Sequence, residues 1–233
     1  MKLNQNENLF GPSPKVLDVM RDFCDNPVAL SLYPKSSQLL EWELSKLLGV
    51  KKSNIILGYG GEGLLRYVFE NLLGGKGKCL ISDYAWGYYT NQFQRLEIEF
   101  DTFQMNQGER AFEFDIADII EKCKKEHFDL LLITSPNNPT GNILPLEKLE
   151  LVLRTVPKST MVLVDEAYYG FDKDYDDVKL LNLLQEFPNL MVLRTFSNVY
   201  GLVAMVVALL LLGDCRLHAL IYALLSLVFN ELL

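Results

Sequence analysis

The sequence is poor in cysteine and histidine. Its four cysteines, Cys24, Cys79, Cys123 and Cys215, are scattered without a CxxC pair, and it has only two histidines. No Cys/His metal site of familiar spacing can be built from them. Unpaired, scattered cysteines predict free buried thiols in a reducing cytosol, hence a cytoplasmic protein. Lysines and arginines form no cluster and the formal net charge is −8, which argues against nucleic acid as a partner. The opening Met1-Lys-Leu-Asn-Gln-Asn6 lacks the apolar centre of a secretory signal. Long hydrophobic runs are missing too. Leu202–Leu212 and Leu217–Phe229 both fall short of the roughly 18 residues a spanning helix needs, and Gly213-Asp214-Cys215-Arg216 separates them. The expectation is a buried strand followed by a helix, without membrane contact. There is no internal repeat, long linker or low-complexity segment.

What is present is core material. Hydrophobic residues make up 49% of the 233 and charged residues 22%, enough for one large α/β domain, or a domain plus a fragment. The chain stops at Leu233 within an apolar pattern. Because a natural domain end is usually more polar, this predicts a C-terminal truncation, or loss of whatever covers that surface.

Short continuous apolar runs predict buried strands at Ile55–Leu57, Cys79–Ser82, Leu130–Thr134, Met161–Val164 and Leu190–Thr195, and Leu96–Phe103 alternates enough to be another. Helical spacing marks Pro14–Asp22, Ser37–Leu48, a helix opening at Gly60 and running to about Leu73, Ile116–Cys123, Leu146–Leu153 and Leu180–Leu184. Leu32-Tyr33-Pro34 reads as extended, because proline disfavours the helical region at Tyr33. Helices alternating with strands imply a mostly parallel sheet.

Ligands bind such sheets outside the carboxyl ends of the strands, and several unusual stretches lie there. Asp165 follows Met161–Val164; it is either an acid capping a loop or a ligand contact. The glycine-rich turn Gly58-Tyr-Gly60-Gly61-Glu62-Gly63 opens a helix, and its free N–H groups could cradle a phosphate, although such turns also occur without ligands. Asp83-Tyr-Ala-Trp86-Gly-Tyr-Tyr89 gathers aromatic rings that either pack a core or stack on a planar cofactor. Ser135-Pro-Asn-Asn-Pro-Thr-Gly141 is a loop stiffened by two prolines.

In chain order, Ser135–Gly141, Asp165-Glu-Ala-Tyr168 and Arg194-Thr-Phe-Ser197 each follow a strand, and the set resembles the fold-type I pyridoxal-phosphate (PLP) enzymes, most of all their histidinol-phosphate aminotransferase branch. Leu3-Asn-Gln-Asn-Glu-Asn-Leu-Phe10 is similar to that branch's N-terminal arm and Leu32-Tyr-Pro34 to its next signature. The likeness covers about residues 3 to 213. It implies a three-layer α/β sandwich around a mostly parallel sheet, the aspartate aminotransferase fold. Residues 1–35 would be the arm and the start of a small domain, and 36–233 an incomplete large PLP-binding domain.

The resemblance also implies roles. Asp165 would hold the pyridine nitrogen protonated, and Asn138 and Tyr168 would hydrogen-bond the phenolic oxygen. Trp86 would stack on the ring. Gly60, Gly61, Glu62 (through its backbone) and Ser197 would hold the phosphate, joined by Tyr33 of the partner subunit in a homodimer whose arm, Asn4–Phe10, lies near the partner's site. The implied reaction moves an amino group between an amino acid, plausibly phosphorylated, and a keto acid. The same motifs serve PLP-dependent decarboxylases of phosphorylated amino acids. Four positions depart from the pattern. Asn198 stands where the family has its catalytic lysine, Val206 where it has a phosphate-binding arginine, and Ala204 and Ala208 replace glycines. Without an amine, residue 198 can neither attach the cofactor nor shuttle a proton, so a third reading is an inactive relative that only binds.

Overall fold

The computed structural model describes residues 5–32, 38–74, 76–172, 174–203 and 207–213. The chain enters through helices α1 (Pro14–Cys24), α2 (Pro27–Ser31) and α3 (Gln38–Leu48), then β1 (Ile55–Tyr59) and α4 (Gly60–Val68), which continues as a π turn over Phe69–Leu73. Next come β2 (Lys78–Ser82), α5 (Gly87–Arg95), β3 (Glu99–Phe103), a small hairpin of β4 (Met105–Gln107) and β5 (Phe112–Phe114), and α6 (Ile116–Lys125). The order then runs β6 (Leu130–Thr134), α7 (Leu146–Thr155), β7 (Met161–Glu166), α8 (Asp177–Glu186), β8 (Leu190–Thr195) and β9 (Val207–Leu212).

Seven of these strands form one sheet in the order β1-β9-β8-β7-β6-β2-β3. Strand β9 runs antiparallel to both its neighbours, and the other pairs are parallel. The mostly parallel sheet expected from the sequence is therefore present. Its central strands are buried on both faces, which is why they read as unbroken apolar runs. Successive side chains alternate between two cores. On β7, Val162 and Val164 face the core containing Ile119, Leu149, Leu153 and Leu180 from α6, α7 and α8. Leu163 faces the other, with Leu64, Leu65 and Phe93 from α4 and α5. These are the three layers.

Several boundaries differ from expectation. Strand β7 runs on through Asp165 and Glu166, because both pair with β8. The hairpin β4–β5 and the short α2 carry too little periodicity to be read from the sequence. Of the four cysteines, Cys79 and Cys123 are buried as expected, but Cys24 is exposed, since α1 buries none of its residues. The helix expected at Leu217–Phe229, like Tyr33, Ala204 and Val206, lies outside the described residues. Among those described, no helix is long and apolar enough to cross a membrane.

The period of two also separates the adjacent acids of β7. Glu166 shares a face with Val164 and meets Arg194 of β8, whose Nε donates to Glu166 at 2.7 Å and whose other nitrogen donates to Asp177 at 2.7 Å. Arg194 lies 3.6 Å over the Tyr169 ring, and the Tyr175 hydroxyl also donates to Glu166. The Arg194 and Glu166 side chains are 5% and 2% exposed. Removing one partner from so buried a pair strands the other charge. Arg194→Met should therefore cost about 3–5 kcal/mol in urea unfolding, and adding Glu166→Gln should recover much of that loss.

Candidate active site

Asp165 occupies the register position opposite Thr134 of β6 on one side and Leu193 of β8 on the other. It shares the parity of Leu163, so it points to the α4–α5 side of the sheet. There Tyr89, from α5, donates to Asp165 Oδ2 at 2.7 Å and contacts Thr134 Oγ1 at 2.9 Å. The Ala167 N–H donates to Asp165 Oδ1 at 2.9 Å. Burial pushes the Asp165 carboxyl up to about 6, and the bonds from Tyr89 and Ala167 oppose that rise. Burial, with the Asp165 charge, pushes Tyr89 well above the usual phenol range, so it remains a donor. Both partners of the carboxylate are neutral.

These strand ends floor a cleft of about 760 Å³. One wall is the start of α4, with Gly61, Glu62 and Leu65. No side chain caps that helix, so its first-turn N–H groups have no side-chain acceptor at the cap. Trp86 forms the next wall, stacked on Tyr88 at 4.7 Å and 20° and edge-on to Tyr89 at 5.6 Å. Asn138 comes from the proline loop, whose Ser135–Pro136 and Asn138–Pro139 bonds are both cis. Its amide donates to the Tyr168 hydroxyl at 3.3 Å. Ser197 and Asn198 close the far side; Thr195 Oγ1 donates to Ser197 Oγ at 2.9 Å, and Asn198 donates to the Ala167 carbonyl at 2.7 Å.

The structure thus gathers Gly61, Glu62, Trp86, Asn138, Asp165, Tyr168, Ser197 and Asn198 around one cleft. Gly60 does not line it. Gly60 is buried behind the wall at φ +70°, a left-handed turn that glycine adopts without penalty, so its part is to turn the chain from β1 into α4. Gln5, Asn6 and Glu7 line this chain's own cleft, because Asn6 and Asn8 find hydrogen-bond partners on the chain's own loops. Tyr89 and Thr134 were missed from the sequence. The parity of β6 and β7 could have found Thr134, whereas Tyr89 was hidden in an aromatic cluster.

A buried carboxylate with neutral partners suits a ligand that brings an N–H or a positive charge to it. Among the described residues, no lysine, arginine or histidine lines the cleft, while Glu7 and Glu62 do. An anionic group on a ligand would therefore be met there by backbone N–H groups and hydroxyls.

Comparison with known proteins agrees with this architecture. The aminotransferase class I and II family matches residues 1–228, and the chain belongs to that family. It is 32% identical over 206 residues to the histidinol-phosphate aminotransferase of Brevibacillus brevis, covering 88% of this chain and 54% of that protein. The chain thus spans about half the length of such relatives. The histidinol-phosphate aminotransferase of Sinorhizobium meliloti, solved in complex with pyridoxal-5′-phosphate, superposes with TM-score 0.78 at 22% identity, over 97% of this chain and 65% of that one. The Clostridium acetobutylicum enzyme of the same name gives 0.79 at 20%, over 94% and 62%. At these identities the two structures speak for the fold alone.

The raised carboxyl of Asp165 has a thermodynamic consequence. Its folded-state value lies above the ordinary 3.8. Its contribution to stability is therefore complete below about pH 4 and is lost as pH rises through about 6. The rise from 3.8 to about 6 corresponds to roughly 3 kcal/mol against the ionised form. Asp165→Asn removes that penalty, and Tyr89 can turn its proton to Thr134. In urea unfolding without added ligand, the variant should gain about 1–3 kcal/mol over the unchanged chain at pH 8 and almost nothing at pH 4.

Proposed function

We propose that this chain is the cofactor-binding part of a PLP-dependent aminotransferase, one that moves an amino group between a histidinol-phosphate-like amino acid and a keto acid. The observation that carries this is the buried Asp165, held by neutral donors at the floor of a cleft that also presents Asn138, Tyr168 and Trp86. When bound, PLP supplies an electron-accepting ring that takes up the electron pair freed at a substrate's α-carbon.

The chain's own residues divide that task. Asp165 holds a proton at the pyridine nitrogen. Asn138 and Tyr168 hydrogen-bond the phenolic oxygen. Trp86 covers a face of the ring, and the backbone N–H groups of Gly61 and Glu62, with the Ser197 hydroxyl, take the phosphate. The homodimer, a phosphate contact from Tyr33 of the partner subunit, residues 1–35 as the start of a small domain and a cytoplasmic location belong to the same reading. They are supported by the family.

Residue 198 favours a second reading, in which the chain holds PLP without turning it over. The Asn198 amide is a hydrogen-bond donor and not a base, and it is engaged with the Ala167 carbonyl. A positioned proton shuttle is typically worth ~10²–10⁴ in rate, and covalent activation by the missing amine adds to that.

One experiment addresses both readings. The unchanged chain and Asn198→Lys are loaded with PLP, reduced with borohydride, weighed intact and mapped. A pyridoxyl label on residue 198 only in the lysine form is expected, with non-covalent PLP alone in the unchanged chain. Label on another lysine of the unchanged chain, together with turnover of amino acids, would mean that the active site lies elsewhere.

A further inference from the structure

The Tyr168 hydroxyl has two amide donors. Asn138 Nδ2 lies 3.3 Å from it, and Asn6 Nδ2, 162 residues away in sequence, lies closer at 2.8 Å. A phenol oxygen offers two lone pairs and one proton. With both lone pairs occupied by amide N–H groups, the proton is left to be donated, and Tyr168 lines the cleft.

Asn6 is held where this bond requires it. Its φ is +52°, in the left-handed region that asparagine tolerates better than most residues. Two residues on, Asn8 Nδ2 donates to the Val199 carbonyl at 3.0 Å, while its Oδ1 accepts from the Phe10 N–H at 3.0 Å. Next to that staple, Gly201 runs against the arm at φ +66°. A Cβ on Gly201 would come within 2.9 Å of the Gly11 carbonyl carbon and 3.1 Å of the Pro12 nitrogen. The arm is thus fixed against Val199 and Gly201, just past Ser197 and Asn198.

We propose that Asn6 is a positioning residue: the arm of the same chain orients the Tyr168 hydroxyl so that its proton is directed at an acceptor oxygen of the ligand in the cleft. This rests on the cofactor reading above, in which that acceptor is the phenolic oxygen of PLP.

The test separates hydrogen-bond polarity from backbone shape. Asn6→Asp is isosteric and tolerates the left-handed backbone, but its carboxylate would accept the Tyr168 proton and turn it from the cleft. Asn6→Ala removes the donor and strains the backbone. Binding to the full 233-residue chain is measured by calorimetry with two probes, PLP and its 3-O-methyl ether, whose ring oxygen is no longer an ionisable phenol. Far-ultraviolet circular dichroism confirms that each exposed-site variant is folded.

Asn6→Asp should weaken PLP about tenfold and Asn6→Ala about threefold, the range of an ordinary net hydrogen bond. The methyl ether should bind the three forms within about twofold of one another. The absorbance change marking phenol ionisation of bound PLP should move to higher pH in Asn6→Asp. If Asn6→Ala is the more damaging variant, or if both probes weaken alike, Asn6 is merely structural and the proposal falls. It falls equally if neither variant changes PLP binding. No saturable binding of PLP to the unchanged chain would instead remove the cofactor reading, and this inference with it.

Discussion

Burial of two consecutive carboxylates at the end of β7 is the constraint around which the rest is arranged. A strand closed on both faces cannot leave a charge unattended, and its pleat sends Asp165 and Glu166 to opposite sides. Each side answers differently. Below Glu166 the chain supplies a cation, Arg194, with Asp177 and Tyr175 completing a network at 2–5% exposure of the central pair. Above Asp165 it supplies only a hydroxyl and a backbone N–H. The first arrangement is closed and serves the fold. The second remains electrostatically open, and it is the one that faces a cleft. The same physical problem is solved twice, once with internal charge and once without, and only the second solution leaves its acid facing the cleft.

That distinction was only partly legible in the sequence. Parallel strands buried on both faces must be continuous apolar runs, so β6, β7 and β8 could be placed from their letters, and the loops after them followed. The glycine turn into α4 and the two prolines beside Asn138 were local signals and were read as such. The pairing of Glu166 with Arg194 was not, because its 28-residue separation is set by sheet register. Tyr89 was concealed for another reason. Among Tyr84, Trp86, Tyr88 and Tyr89, nothing local says which ring is fully buried, and the α5 face that meets β6 and β7 decides it. The arm's asparagines bond to loops 162 and 191 residues downstream on the same chain, a long-range fact with no local signature.

Residue 198 brings these strands of reasoning together. An asparagine sits there with its amide satisfied by the Ala167 carbonyl, two residues after Asp165. The cleft is otherwise assembled from contacts that do not involve this side chain: Tyr89 on Asp165, Asn138 and Asn6 on Tyr168, Thr195 on Ser197. Under the cofactor reading proposed above, holding a planar, partly anionic ligand and reacting with it are separable. The lining that would hold it is distributed over strand ends, a helix start and an arm, each anchored by bonds of its own. The reaction would depend on one amine, for which hydrogen bonding and shape offer no substitute. The architecture that places the chain in its family rests on strands, register and loops that do not depend on the side chain at 198.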